Sequence, residues 1–174
     1  MAEQGMPLAI VLMGVSGSGK TTIGEALASR LGATFADADD FHSAANKAKM
    51  AAGTPLNDED RAPWLATLNG VLRDWVAEGR HGILACSALK AAYRETLASG
   101  IACSAIAFVW LDGSRDLIAG RLAARHHEYM NPNLLDSQFA TLEPPKDAIR
   151  IVNDCPPEQV VDEILSRLKQ AASA

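Results

Sequence analysis

The stretch Leu8–Leu31, LAIVLMGVSGSGKTTIGEALASRL, constrains the fold of this chain more than any other. It opens on a branched, apolar run from Leu8 to Met13, the length and composition of a buried strand. Apolar residues at Ile23, Leu27 and Leu31 follow at the spacing of a helix lying on a sheet. Between the two lies GVSGSGKT, which satisfies the pattern G-x-x-x-x-G-K-[ST] in the strand-to-helix context that its chemistry requires. Such a loop turns successive backbone N–H groups inward and makes a concave anion site at a helix N-terminus. The phosphate-binding set is then Gly14, Val15, Ser16, Gly17, Ser18, Gly19, Lys20, Thr21 and Thr22. Lys20 adds a cation for the outer phosphates, and Thr21 offers a hydroxyl to magnesium. The stretch predicts binding of a nucleoside triphosphate.

Composition narrows the partners. The 174 residues suffice for one well-buried domain and are few for two. A net charge of -5 with no block of Lys or Arg argues against a nucleic-acid surface. No apolar run reaches the roughly 18 residues of a membrane span. The start, MAEQGMPLAI, lacks the basic and apolar regions of a signal peptide, so the cytoplasm is the expected location. Cys86, Cys103 and Cys155 are scattered without metal-like spacing and read as small buried hydrophobes in a reducing compartment.

Further along, a short strand around Thr34–Ala36 runs into Asp37, Asp39 and Asp40. Strand alternation aims Asp37 and Asp39 to one side, on the sheet rim that carries the phosphate loop. Two carboxylates there suit magnesium held through water and a proton accepted from a hydroxyl; the alternative is capping of the next helix. A helix over Ser43–Ala51 ends near Gly53. A second helix, capped by Asn57 or Asp58, buries Trp64, Leu65, Leu68, Val71, Leu72 and Trp75, with the tryptophans as core rather than stacking platforms. Arg61, in its first turn, either pairs with Asp58 or Asp60 or clamps a substrate carboxylate. A third strand, Gly82–Cys86, leads into a helix with Lys90 and Arg94 on one face, where either could meet an anion.

A fourth strand over Ala105–Leu111 precedes a helix at Ser114–Arg125 that carries Arg121 and Arg125 one turn apart. From His126 to Pro145 the sequence reads as irregular and suits a mobile cover over the phosphates, hinged at those arginines. A strand at Ala148–Val152, a turn at Asn153–Pro157 that suits an adenine edge, and a helix over Pro157–Ala171 complete the chain. Five strands alternating with helices predict an α/β fold, a three-layer α/β/α arrangement around a five-stranded parallel sheet.

Several separate stretches resemble the small P-loop gluconokinases: GVSGSGKTT, DADDFH, NKAKM, GTPLNDEDRAPWL, CSALKAAYR, and RLAAR followed by LLDSQFATLEPP. They stand in the family's order from Gly14 to Pro145, and GTPLNDEDRAPWL, CSALK and LLDSQFATLEPP are the most particular. The resemblance implies a fold like that of nucleoside monophosphate kinases, with a substrate-binding insertion at about 40–80 and a lid at about 121–145 of one kinase domain. It implies transfer of the γ-phosphoryl of ATP, with Mg²⁺, to the 6-hydroxyl of D-gluconate, in gluconate catabolism that feeds the pentose phosphate pathway. A homodimer is implied too. By position, Asp37 would hold magnesium through water and Asp39 would orient the hydroxyl. Arg61 and Lys90 would contact the sugar acid, and Lys20, Arg121 and Arg125 would meet the transferred group. Glu128-Tyr129 stands where many members carry His-Phe, and Ala38 where Gly is common. Two rival readings are a kinase for another small acceptor, such as a different sugar acid or shikimate, and a nucleotide-dependent switch with little kinase activity.

Overall fold

The strands β1 (Ala9–Met13), β2 (Thr34–Asp37), β3 (Gly82–Ala85), β4 (Ile106–Asp112) and β5 (Ile149–Val152) form one parallel sheet in the order β2-β3-β1-β4-β5. This is a computed structural model, and it describes residues 5–124 and 132–174. The central strand β1 is buried along its whole length, which is why it reads as an unbroken apolar run rather than an alternating one. Its residues alternate between two cores. Ile10 and Leu12 pack with Ile23 and Leu27 of α1 (Lys20–Leu31) and with Val160, Ile164 and Leu168 of α7 (Pro157–Ala172). On the other face Ala9, Val11 and Met13 meet Leu65, Leu68, Leu72 and Trp75 of α3 (Asp58–Ala77), and Tyr93 and Leu97 of α4 (Ala91–Ala98). Each fully buried aliphatic side chain contributes about 1.5–3 kcal/mol of transfer free energy, so these two layers hold the sheet. The predicted three-layer α/β/α architecture is the observed one.

Local chemistry sets the helix starts. Ser43 accepts a hydrogen bond from Asn46 N–H at 3.1 Å and opens α2 (Ala44–Ala51). At α3, the Asn57 side chain accepts from Asp60 N–H at 2.7 Å while the Asp60 carboxylate accepts from Asn57 N–H at 3.1 Å. This reciprocal box fixes the register of the helix that carries Arg61, and losing such a cap costs about 1 kcal/mol.

Three expectations are corrected. The segment 126–145 is not irregular throughout: α6 spans Pro132–Thr141. Proline suits a first helical position, and Leu135, Phe139 and Leu142 recur at helical spacing against Val15, Leu89 and Ile118, the last from α5 (Arg115–Ala124). Strand β2 ends at Asp37, and Ala38–Phe41 is a 3-10 turn, so Asp39 owes its direction to that turn and not to strand alternation. Of the three free cysteines only Cys86 is buried; Cys103 and Cys155 lie in connecting loops and are exposed. Burial pushes the Cys86 thiol up to about 12. No helix among the described residues is long and apolar enough to cross a membrane.

Candidate active site

The phosphate loop joins the carboxyl end of β1 to α1. Its last glycine, Gly19, is the N-cap of α1 with φ 98, and it offers no side chain to the helix amides. A helix N-terminus capped only by backbone presents N–H groups and partial positive charge to an anion. Two glycines are required by space as well as by angle. A Cβ at Gly14 would come 2.7 Å from the Leu111 carbonyl oxygen, and one at Gly19 would run into the Asn153 amide. That amide donates from Nδ2 to Ser18 O at 2.7 Å, and Arg121 donates to Asn153 O. The loop is therefore braced from the far end of the chain. The predicted adenine-edge residue Asn153 is buried and spends its side chain on this brace.

A second brace comes from α6. Ser16 N–H donates to Gln138 Oε1 at 2.7 Å, and Gln138 Nε2 donates to Ser16 Oγ at 3.0 Å. Lys20 folds over the loop, its Nζ donating to Gly14 O and Val15 O at 3.0 Å each. That places the ammonium at the loop mouth.

Across the mouth stand the carboxylates. Asp37 accepts from Asp39 N–H at 3.0 Å through Oδ1, and Thr21 Oγ1 lies 3.4 Å from its Oδ2. Asp37 thus caps the 3-10 turn, as the capping alternative expects, and its second oxygen faces the loop. Ser16, Lys20, Thr21, Asp37, Asp39 and Ser87 line one open cleft of about 580 Å³, floored by Ala85 and Cys86. The pKa of Asp39 is raised, first by the desolvating walls and then by the charge of Asp37, with Lys20 and His42 opposing. Its side chain is still about 85% exposed, so solvent limits the effect. The hydroxyl of Thr21 beside an Asp37 oxygen is a small, hard-oxygen donor set. It fits magnesium that keeps waters and takes phosphate oxygens, and no cluster of three or more acidic, His or Cys ligands occurs among the described residues.

Arg61 does not pair with its neighbours as one reading expects. Asp60 is taken by Lys49, whose Nζ donates to both carboxylate oxygens at 2.9 Å, and Asp58 by Lys90 at 3.2 Å and by the Tyr93 hydroxyl. Arg61 Nη1 donates to that same hydroxyl at 3.2 Å, with its guanidinium carbon 5.6 Å from the Tyr93 ring centre. Lys90 Nζ lies 5.5 Å from the same ring. Two cations separated by 29 positions are thus gathered on one tyrosine. The Tyr93 and Lys90 hydrogen bonds hold the Asp58 carboxyl below its usual range, and Asp58 raises Lys90 in return.

Arg94 is a structural residue: it donates to the carbonyls of Ala88, Leu89 and Glu143 at 2.7, 3.2 and 2.9 Å. In doing so it steadies the turn before α4, where Ala88 has a φ of 45. Trp64 packs on the core as expected, and within it lies on the buried His42 ring with ring centres 4.2 Å apart. Sequence reasoning assigns no role to Asn46, Tyr93 or Gln138, and gives Asn153 an adenine edge rather than the loop brace it forms. Gln138 lies inside the distinctive LLDSQF run, which was the signal available for it. Arg125, His126, His127, Glu128 and Tyr129 lie outside the described residues.

Comparison with known proteins agrees with this geometry. The family profile described as an AAA domain matches residues 10–145. The chain is 45% identical to a probable gluconokinase of Dictyostelium discoideum, over 93% of this chain and 86% of that protein. It is also 45% identical to a gluconokinase of Gluconobacter oxydans, over 91% and 90% respectively. Among solved structures, a gluconokinase from Sinorhizobium meliloti superposes with a TM-score of 0.86 at 38% identity, covering 97% of this chain and 95% of that one. With its phosphate loop, facing carboxylates and sheet order in place, the chain belongs to the gluconokinase family of P-loop kinases.

Proposed function

We propose that this protein transfers the γ-phosphoryl group of ATP to the 6-hydroxyl of D-gluconate, giving 6-phospho-D-gluconate and ADP. The observation that carries the reading is the single cleft in which Lys20 and Thr21 of the phosphate loop face Asp37 and Asp39. Phosphoryl transfer needs alignment and charge neutralisation more than covalent help, and this cleft offers both.

The backbone amides of Gly14–Thr22 bind the phosphates, and Lys20 swings from the loop carbonyls to the outer oxygens. Thr21, and Asp37 through water, would hold magnesium, and the ion would supply charge neutralisation to the phosphates. Asp39 accepts a hydrogen bond from the primary hydroxyl and aims its oxygen at the phosphorus. Its proton leaves to Asp39 as the bond to the leaving oxygen loosens. Arg61 and Lys90 bind the gluconate carboxylate, for which Asp58 is an internal stand-in until the substrate arrives. Arg121 and Arg125 close on the transferred group from the lid side. Arg121 must release the Asn153 carbonyl to do so.

In this reading residues 40–80 are the acceptor-binding insertion and 121–145 the lid of one kinase domain. The enzyme works as a cytoplasmic homodimer. A panel of acceptors offered with ATP in a coupled ADP assay tests the reaction. Gluconate is expected to give the highest kcat/KM; preference for shikimate or another sugar acid overturns the substrate, and hydrolysis indifferent to every acceptor overturns the kinase reading.

A further inference from the structure

Behind Asp39 lies a buried imidazole that the reaction as described does not use. The His42 side chain is only 4% exposed. Its ring lies flat on Trp64, 14° from parallel, and Trp64 is itself fixed by an Nε1–H donated to Ala38 O at 2.7 Å. One face of the imidazole is thus set by α3 and its edges by the turn and by α2. On the inner edge, Asn46 Nδ2 donates to Asp60 O at 2.9 Å and stands 3.5 Å from His42 Nδ1. An amide has two hydrogens, so the second one faces Nδ1. A donor facing a ring nitrogen makes that nitrogen an acceptor, which puts the imidazole hydrogen on Nε2. Nε2 lies 4.0 Å from Asp39 Oδ1.

We infer that His42 is a positioning residue for Asp39, holding its carboxylate toward the acceptor hydroxyl through an Nε2–H whose tautomer Asn46 sets. The inference rests on the reading of Asp39 given above. The present gap is longer than a hydrogen bond, and Asp39 is exposed enough to turn and close it when the cleft fills. A neutral donor suits the task. It fixes one carboxylate oxygen and leaves the negative charge available to the hydroxyl, whereas an imidazolium would neutralise it. Burial keeps the ring neutral by lowering its pKa, with Arg61 and Lys47 acting in the same sense and Asp39 against them.

The test uses steady-state kinetics of the full chain with ATP and gluconate. His42→Phe keeps a flat ring on Trp64 and removes the donor, while His42→Gln places an amide nitrogen near the Nε2 position. The first is expected to lower kcat about tenfold, the scale of an outer partner that orients a working group, with both KM values unchanged. The second is expected to recover most of that loss. In an Asp39→Asn background, His42→Phe should cost nothing further. Full kcat in His42→Phe, no recovery in His42→Gln, or an equal loss in the Asp39→Asn background would overturn the inference. Near-normal turnover of Asp39→Asn alone instead removes the reading on which it rests. Should His42→Phe fail to fold, the ring nitrogen shifts of the wild-type protein decide. The Nε2–H form is expected, and an Nδ1–H form refutes it.

Discussion

The two sides of the cleft are built by different means. The phosphate side is one unbroken stretch, Gly14–Thr22, and works through backbone amides that any sequence with the right glycines would present. The acceptor side is a composite of side chains: Asp39 from the turn after β2, His42 beside it, Arg61 from α3, and Lys90 and Tyr93 at the start of α4. The first is a contiguous device and the second exists only once the sheet has brought three distant segments together. The loop's phosphate-binding amides are backbone groups, steadied from outside by Asn153 and Gln138, whereas the acceptor side can be altered one binding side chain at a time.

That contrast sets an order of expected effects. Lys20→Ala should remove transfer by roughly 10³-fold or more, because no other loop side chain supplies the charge, while the melting temperature stays near that of the wild type. Measurable activity near the parent level would mean that backbone amides alone suffice. Asp39→Asn should lower kcat by roughly 10²–10⁴-fold with KM for ATP unchanged, since it touches only the acceptor side. Lys90→Ala should raise KM for gluconate about 10–100-fold, the loss of one charge-assisted hydrogen bond, and again leave ATP alone. An equal rise in both KM values would show that the two sides are not separable.

The smallest effect concerns the acid limb of stability. Lys49 first, and then the Asn57 N–H, hold the Asp60 carboxyl below its ordinary value. A carboxyl depressed in the folded state adds stability above its unfolded pKa and loses it as pH falls through the lowered value. Asp60→Asn should therefore flatten the decline in melting temperature below about pH 4. A limb as steep as before would assign the acid sensitivity elsewhere.

The same contrast explains what was legible in the sequence. The phosphate loop, the five strands and the capped start of α3 are each written in contiguous residues, and the period or the motif names them directly. Asp37 and Asp39 were placed correctly on the rim by an argument from alternation that the 3-10 turn at Ala38 replaces. Asn153 and Gln138 act on the loop across 135 and 122 positions, and no spacing rule reaches that far. Trp64 was read as plain core because helical periodicity records which face is inward and not what lies flat against it. Helix α6 escapes the sequence reading because the Leu-Leu pair, Pro132 and the Pro144-Pro145 stop resemble a loop until Leu135, Phe139 and Leu142 are counted together.

The brace at Asn153 has a consequence for how the protein comes into being. The loop near the N-terminus is synthesised early, yet the amide that pins it follows the last strand to be made. A growing chain still short of that point has the glycine motif complete but unsupported, with β5 and α7 missing from the sheet. Competence to grip a triphosphate therefore waits for the residues after β5, when the sheet gains that edge strand and Asn153 reaches the Ser18 carbonyl.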